Sequence, residues 1–238
     1  MSSESDELEE NYGELLNQVS LLKNRSSLRE LSGGLTNKNL LVETDSGKYV
    51  ARISSNSSSL LSINRDSEFH NTKLAAEVGI GAPVFDYLKG KGLLVIGYID
   101  GKTFGASEVG ANLSRIATSL KKLHSAKPFD RDFDMFQIQP NYLKIVKEKG
   151  FRLPDGYLEL QETFHEIEKR FAATFAGKVP CNNDLLPANF IDDGKQIWLI
   201  DYEYSGNNDA CFEIGNIWSE AELPFEALSE LVTARIPP

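Results

Sequence analysis

The spacing of apolar residues changes character near residue 100. Before it, apolar positions fall in short alternating runs. Residues 28–31 and 39–44 are predicted strands, separated by Ser32-Gly33-Gly34-Leu35-Thr36-Asn37. Asp45-Ser46-Gly47 supplies a hairpin turn into a return strand over 48–53. In that strand Tyr49, Ala51 and Ile53 share one face, and Val50 and Arg52 share the other. The serine-rich stretch 54–59 is predicted to be a loop, followed by a helix over 62–77 that Gly79 ends. Strands over 84–88 and 93–99 flank the turn Lys89-Gly90-Lys91-Gly92.

Beyond Asp100-Gly101 the period becomes helical. Leu113, Ile116, Ala117, Leu120 and Leu123 define an amphipathic helix over 107–125. Residues 141–149 and 155–176 are predicted helices, the second begun by Pro154. A strand over 179–182, a loop over 183–188 and a second hairpin follow. The hairpin strands are 189–191 and 196–200, turned by Asp192-Asp193-Gly194, and the tail from 213 to 234 is predicted helical. The pattern predicts an α+β chain in two lobes. A β-rich lobe with one main helix, 12–100, leads a mostly helical lobe, 101–238, through a hinge at 97–101; the acidic residues 1–11 are predicted to be a disordered tail.

Composition changes this picture little. The 238 residues are 41% hydrophobic and 25% charged, ordinary for a soluble globular protein. No apolar run is long enough to span a membrane, and the polar N-terminus lacks the apolar segment of a secretory signal. A formal net charge of −10 makes nucleic acid a poor partner. Cys181 and Cys211 match no zinc spacing and suit buried thiols in a reducing cytoplasm.

The chemistry concentrates between Cys181 and Gly206. Asp184 precedes Asn189 by five residues, and Asp201 ends the strand that pairs back on the one beginning at Asn189. A tight hairpin therefore brings Asn189 and Asp201 together, and both offer the hard oxygen ligands that Mg²⁺ takes beside phosphate. Asp184, one loop away, can accept a proton from a hydroxyl. Such a set suits phosphoryl transfer, although any one Asp or Asn in a loop can equally serve a turn.

Cys181-Asn182-Asn183-Asp184-Leu185-Leu186-Pro187-Ala188-Asn189-Phe190 with Leu199-Ile200-Asp201-Tyr202-Glu203-Tyr204-Ser205 resembles the choline/ethanolamine kinase family. That family lies within the aminoglycoside-phosphotransferase group of the protein-kinase-like fold. The resemblance extends through Gly33-Gly34-Leu35-Thr36-Asn37, Val50-Ala51-Arg52-Ile53, Ile63-Asn64-Arg65-Asp66-Ser67-Glu68, Leu123-His124-Ser125, Phe133-Asp134-Met135-Phe136 and Phe212-Glu213-Ile214-Gly215-Asn216. Several motifs in order carry more weight than one.

The resemblance implies an ATP- and Mg²⁺-dependent kinase acting on the hydroxyl of a small amino alcohol, choline before ethanolamine. It makes Asp184 the catalytic base and Asn189 and Asp201 the metal ligands. Arg52 is then the phosphate contact with Glu68 as its ion-pair partner. Gly33, Gly34, Thr36 and Asn37 form the phosphate-facing loop, and Gly97, Tyr98 and Ile99 lie beside the adenine. For the acceptor it points to Glu220 with Trp218 and Phe225, because a quaternary ammonium is held by aromatic faces and carboxylates. Trp218 and Phe225 serve equally well as core packing. His124 reads as a hydrogen-bonded helix residue. Alternatives that stay open are an aminoglycoside or thiamine-like acceptor, and a nucleotide-binding pseudo-kinase. Two departures stand out: Asn182 occupies a position where the family has His, and family members continue past the position of Pro238 with helices that complete the acceptor pocket.

Overall fold

The computed structural model describes residues 4–32, 36–54 and 63–235. Gly33, Gly34 and most of the loop expected over 54–59 lie outside them.

An antiparallel five-stranded sheet dominates the first lobe. Its strands are β1 (Arg25–Leu31), β2 (Asn37–Thr44), β3 (Gly47–Ser54), β4 (Val84–Leu88) and β5 (Leu93–Gly97), in the order β1-β2-β3-β5-β4. The alternation read in the 48–53 run takes effect here. Tyr49 and Ala51 pack with Leu40, Val42, Leu93 and Val95 into one core, while Val50 packs with Leu94, Ile96 and Ala82 on the opposite face. Between β3 and β4 lies α2 (Arg65–Glu77), whose N-cap Asn64 accepts a hydrogen bond from Ser67 N–H.

The expectation of a disordered tail does not hold for the described residues near the N-terminus. Glu4–Leu16 forms a helix, α1, with Leu8 and Leu16 buried against the sheet. Acidic residues mask its apolar stripe in the sequence, but the β1 face needs a cover, and Glu9 pairs with Arg25 to hold the helix there. The packing, not the local composition, orders it.

The hinge leads to β6 (Lys102–Thr103), which pairs with β8 (Phe190–Asp192). A Cβ on Gly101 would come within 2.6 Å of Asp192 O, so only glycine lets the chain cross there. The helix expected over 107–125 is broken at Asn112 into α3 (Ala106–Ala111) and α4 (Leu113–His124). Asn112 turns its amide back onto Glu108 O, the local competition that makes asparagine a poor interior helix residue. Next, α5 (Met135–Lys149) starts earlier than predicted because Asp134 caps it, and the helix runs through Pro140, which lies ahead of the predicted start. A 3₁₀ turn (Tyr157–Leu160) and α6 (Gln161–Thr174) follow. The short strands β7 (Val179–Cys181), β9 (Ile197–Leu199) and β10 (Gly206–Asn208) complete two small sheets, β10-β7 and β6-β8-β9. The chain then forms α7 (Ala210–Glu220) and α8 (Phe225–Arg235). The second core gathers α4, α7 and α8 with Leu185, Phe190, Leu199 and Tyr202 from the loops and strands between them. No helix among the described residues is long and apolar enough to cross a membrane.

Candidate active site

Two loops meet at the junction of the lobes. The first, 182–189, leaves β7; the second, 200–205, leaves β9. The β8–β9 hairpin places their ends side by side, with Ile200 N–H donating to Asn189 O at 3.0 Å. The juxtaposition of Asn189 and Asp201 expected from the hairpin is therefore present.

Asn182 ties the loops together. Its Nδ2 donates to Ile200 O at 3.2 Å and Asp201 O at 2.9 Å, and its Oδ1 accepts from Asp184 N–H at 3.1 Å. Fully buried, it does what a scaffolding His would do, using an amide with a donor and an acceptor. Glu213 supports the same loop from α7. Its Oε1 accepts the backbone N–H groups of Asn182 and Asn183, and its Oε2 pairs with His124 from α4. His124 is thus an internal packing histidine, as expected. Asn183 and Asp201 hold left-handed backbone conformations, with φ of 65° and 63°. Each costs about 1–3 kcal/mol for a residue with a side chain, and both sit where the loops must turn toward the cleft.

The Asp184 carboxylate makes no hydrogen bond among the described residues. Burial, and then the negative charges of Asp201, Glu203 and Glu220, push its pKa up from 3.8 to about 6. Its backbone carbonyl receives Asn189 Nδ2 at 2.7 Å, which turns Asn189 Oδ1 the other way. That oxygen and the Asp201 carboxylate are the hard donors that suit Mg²⁺.

Arg52 on β3 is buried between Glu68 Oε1, at 3.1 Å, and Asp201 Oδ1. The expected Arg52–Glu68 pair is present, and the contact with Asp201 is additional. Arg65 extends the chain of charges, reaching Glu68 at 2.6 Å and Glu203 at 3.1 Å. Thr36 Oγ1 and Asn37 Nδ2 donate to Glu203, at 2.7 and 2.9 Å. These two side chains therefore tie the start of β2 to the loop carrying Asp201. Glu203 and Arg65 were present in the motifs without an assigned role, because nothing in their spacing says that strand β2 and helix α2 converge on them.

A cleft of about 390 Å³ opens between the lobes, lined by Val50, Ala82, Ile96, Gly97, Tyr98 and Ile99 on one side and Asn189, Ile200 and Asp201 on the other. The hinge residues expected beside an adenine thus border one space with the metal-ligand candidates. The backbone N–H groups of Gly97 and Tyr98 are spent on Pro83 O and Lys48 O.

On the acceptor side the arrangement differs from expectation. Glu220 borders a cavity of about 300 Å³ with Phe171, Phe212 and Asn216. Trp218 is not part of that lining; its indole N–H donates to Pro224 O at 3.2 Å, where α7 turns toward α8. Phe225 is 68% exposed. Residues two apart on a helix point about 200° apart, so Trp218 and Glu220 face opposite ways, whereas Phe212, Asn216 and Glu220 at four-residue spacing share a face. Asn216 Oδ1 accepts Leu185 N–H at 2.7 Å, joining that face to the Asp184 loop. Tyr204, close enough for its acidity to be affected by Asp184 and hydrogen-bonded to Tyr142 of α5, is an aromatic on this side that the motif reading left without a role.

The model of the choline/ethanolamine kinase family matches residues 28–230. The chain belongs to this family. It is 31% identical over 212 residues to Protein LicA of Haemophilus influenzae, covering 84% of this chain and 60% of that protein. Among solved structures, choline kinase LicA from Streptococcus pneumoniae superposes with a TM-score of 0.85 at 25% identity, covering 96% of this chain and 81% of the other. A choline/ethanolamine kinase family protein from Mesorhizobium loti gives 0.82 at 26%, covering 96% and 76%. This choline/ethanolamine kinase homologue thus has the two-lobed, protein-kinase-like fold, and it spans about three-fifths of the length of the Haemophilus relative.

Proposed function

We propose that the protein is an ATP- and Mg²⁺-dependent phosphotransferase that phosphorylates the hydroxyl of an amino alcohol, choline first and ethanolamine second, in the cytoplasm. Residues 12–100 are the nucleotide-binding lobe and 101–238 the catalytic lobe. The observation that carries this reading is Asp184. Its carboxylate makes no hydrogen bond among the described residues, its pKa is raised to about 6, and its loop borders the inter-lobe cleft at Asn189 and is hydrogen-bonded through Leu185 N–H to Asn216 in the wall of the Glu220 cavity.

The steps follow from the residues. The cleft beside Gly97, Tyr98 and Ile99 takes the adenine, and Arg52, held in place by Glu68, meets the phosphates. Asn189 and Asp201 would hold Mg²⁺, which when bound neutralises charge on the phosphate oxygens. Glu220 attracts the cationic end of the acceptor. Asp184 orients the acceptor hydroxyl and receives its proton as the oxygen attacks in line; a base with a pKa of about 6 is mostly ionised at neutral pH and strong enough to take that proton. Choline is placed first because the LicA relative of known structure is a choline kinase.

The test is ADP release with ATP, Mg²⁺ and a panel of choline, ethanolamine, thiamine and aminoglycosides. Choline-dependent release that Asp184→Ala abolishes, with ATP affinity retained, is the expected result. Absence of acceptor-dependent ADP with every compound would overturn the enzymatic reading in favour of a nucleotide-binding pseudo-kinase.

A further inference from the structure

Helices α5 and α6 have no buried residue, although both carry aromatic side chains. Those aromatics gather around a cavity of about 230 Å³ between α5, α6 and the start of α7, lined by Phe133, Phe136, Phe171, Phe175 and Phe212. The rings are in contact across the helices: Phe136 with Phe171 at 5.7 Å between centroids, and Phe133 with Phe212 at 5.5 Å. Phe133 is buried, while Phe175 is 53% exposed and leaves one side open.

The charges at this cavity are unbalanced. Asp134, Glu168 and Asp209 border it. Asp134 and Asp209 each use Oδ1 to cap a helix, at 3.0 Å to Phe136 N–H and 2.8 Å to Cys211 N–H. Capping consumes one oxygen and leaves the full negative charge. The N-termini of α5 and α7 oppose a cation with about half a charge each, less than the aspartate that caps each one. Lys178, also in the lining, is already paired with Asp132 at 2.7 Å.

An anion would meet three carboxylates here, and a neutral apolar molecule would gain nothing from them. A primary ammonium would be drawn to the carboxylate oxygens that capping leaves free and would make little use of the phenyl rings. A quaternary ammonium needs no hydrogen bonds, and is stabilised both by aromatic faces and by carboxylates standing off at the rim. We infer that the α5–α6–α7 cavity is a binding site for a quaternary ammonium group, separate from the position beside Asp184. Phe171 and Phe212 also line the Glu220 cavity, so the two spaces share a wall. The site stages the ammonium end of the acceptor on its way to Glu220. The staging role rests on the amino-alcohol reading above; the ligand class does not.

The probe is tetramethylammonium, titrated by calorimetry into the intact protein, with tert-butyl methyl ether as the neutral comparison. Phe136 and Phe175 border this cavity and not the one at Glu220. Phe136→Ala and, separately, Phe175→Ala should each weaken tetramethylammonium binding about three- to tenfold, as expected from losing one cation–π face. Phe136→Tyr should restore it, KM for ATP should stay unchanged, and KM for choline should rise while kcat holds. Equal binding by wild type and both alanine variants, or equal binding of the neutral comparison, overturns the site. Weakened binding in a protein that releases no ADP with any alcohol upholds the site and overturns the kinase reading. Choline turnover with tetramethylammonium binding indifferent to both variants does the reverse.

Discussion

Replacing Asp184 by asparagine should stabilise the protein at neutral pH while removing its turnover. Asparagine keeps the shape of the side chain and discards the charge that is held near Asp201, Glu203 and Glu220. In the folded state the carboxyl titrates at about 6 rather than 3.8. That gap corresponds to about 3 kcal/mol at about 1.4 kcal/mol per tenfold change in acidity. Asp184 is partly reached by solvent, which screens the repulsion, so about 1–2 kcal/mol is the realistic gain. Because the folded pKa is raised, the folded protein binds more protons than the unfolded chain between pH 3.8 and about 6. Wild-type stability therefore falls as pH rises through that window, and the full penalty is present above it. The advantage of Asp184→Asn should be absent below the window, roughly half developed at pH 5 and constant from pH 7 upward. Thermal melts followed by circular dichroism, without nucleotide or Mg²⁺, should show the variant melting about 2–8 °C higher at pH 7.5. Equal or lower stability of the variant at pH 7.5, or a difference that persists undiminished at low pH, would refute the account of how Asp184 is activated.

Asn182→Ala removes the amide that joins the two loops, and should cost about 1–3 kcal/mol in urea unfolding and lower kcat more than it raises KM for ATP. Arg52→Met takes the buried guanidinium from Asp201 and leaves Glu68 paired with Arg65 alone; about 3–5 kcal/mol of stability should be lost, and calorimetric ATP affinity should fall. Glu203→Gln keeps an acceptor for Thr36 and Asn37 but weakens the pairing with Arg65, so nucleotide affinity should drop by severalfold with little change in acceptor KM, as steady-state kinetics would show. Glu220→Gln should do the opposite, raising KM for choline and leaving KM for ATP in place.

Much of the donor half of the candidate site was legible because its geometry is local. A tight hairpin fixes where its ends lie, so the proximity of Asn189 and Asp201 followed from a turn signal and two short apolar runs. The alternation in β3 likewise set the face of Arg52. The break at Asn112 and the early start of α5 at Asp134 were less legible, since capping and side-chain competition override a periodic pattern. Helix α1 was hidden for a related reason: a short acidic helix is stable only when a sheet covers its few apolar residues.

What the sequence determined by itself is the family and most of the order of elements, and it named the candidates for phosphate and metal, because these rest on near-neighbour spacing. Only the tertiary structure decided which side chains meet across long separations. It put Thr36, Asn37 and Arg65 on Glu203, set Asn182 and Glu213 as the supports of the Asp184 loop, and gave Glu220 the company of Phe171 and Phe212 in place of Trp218. Such contacts depend on the packing of whole helices and on the direction each residue faces around its axis, which no local pattern specifies.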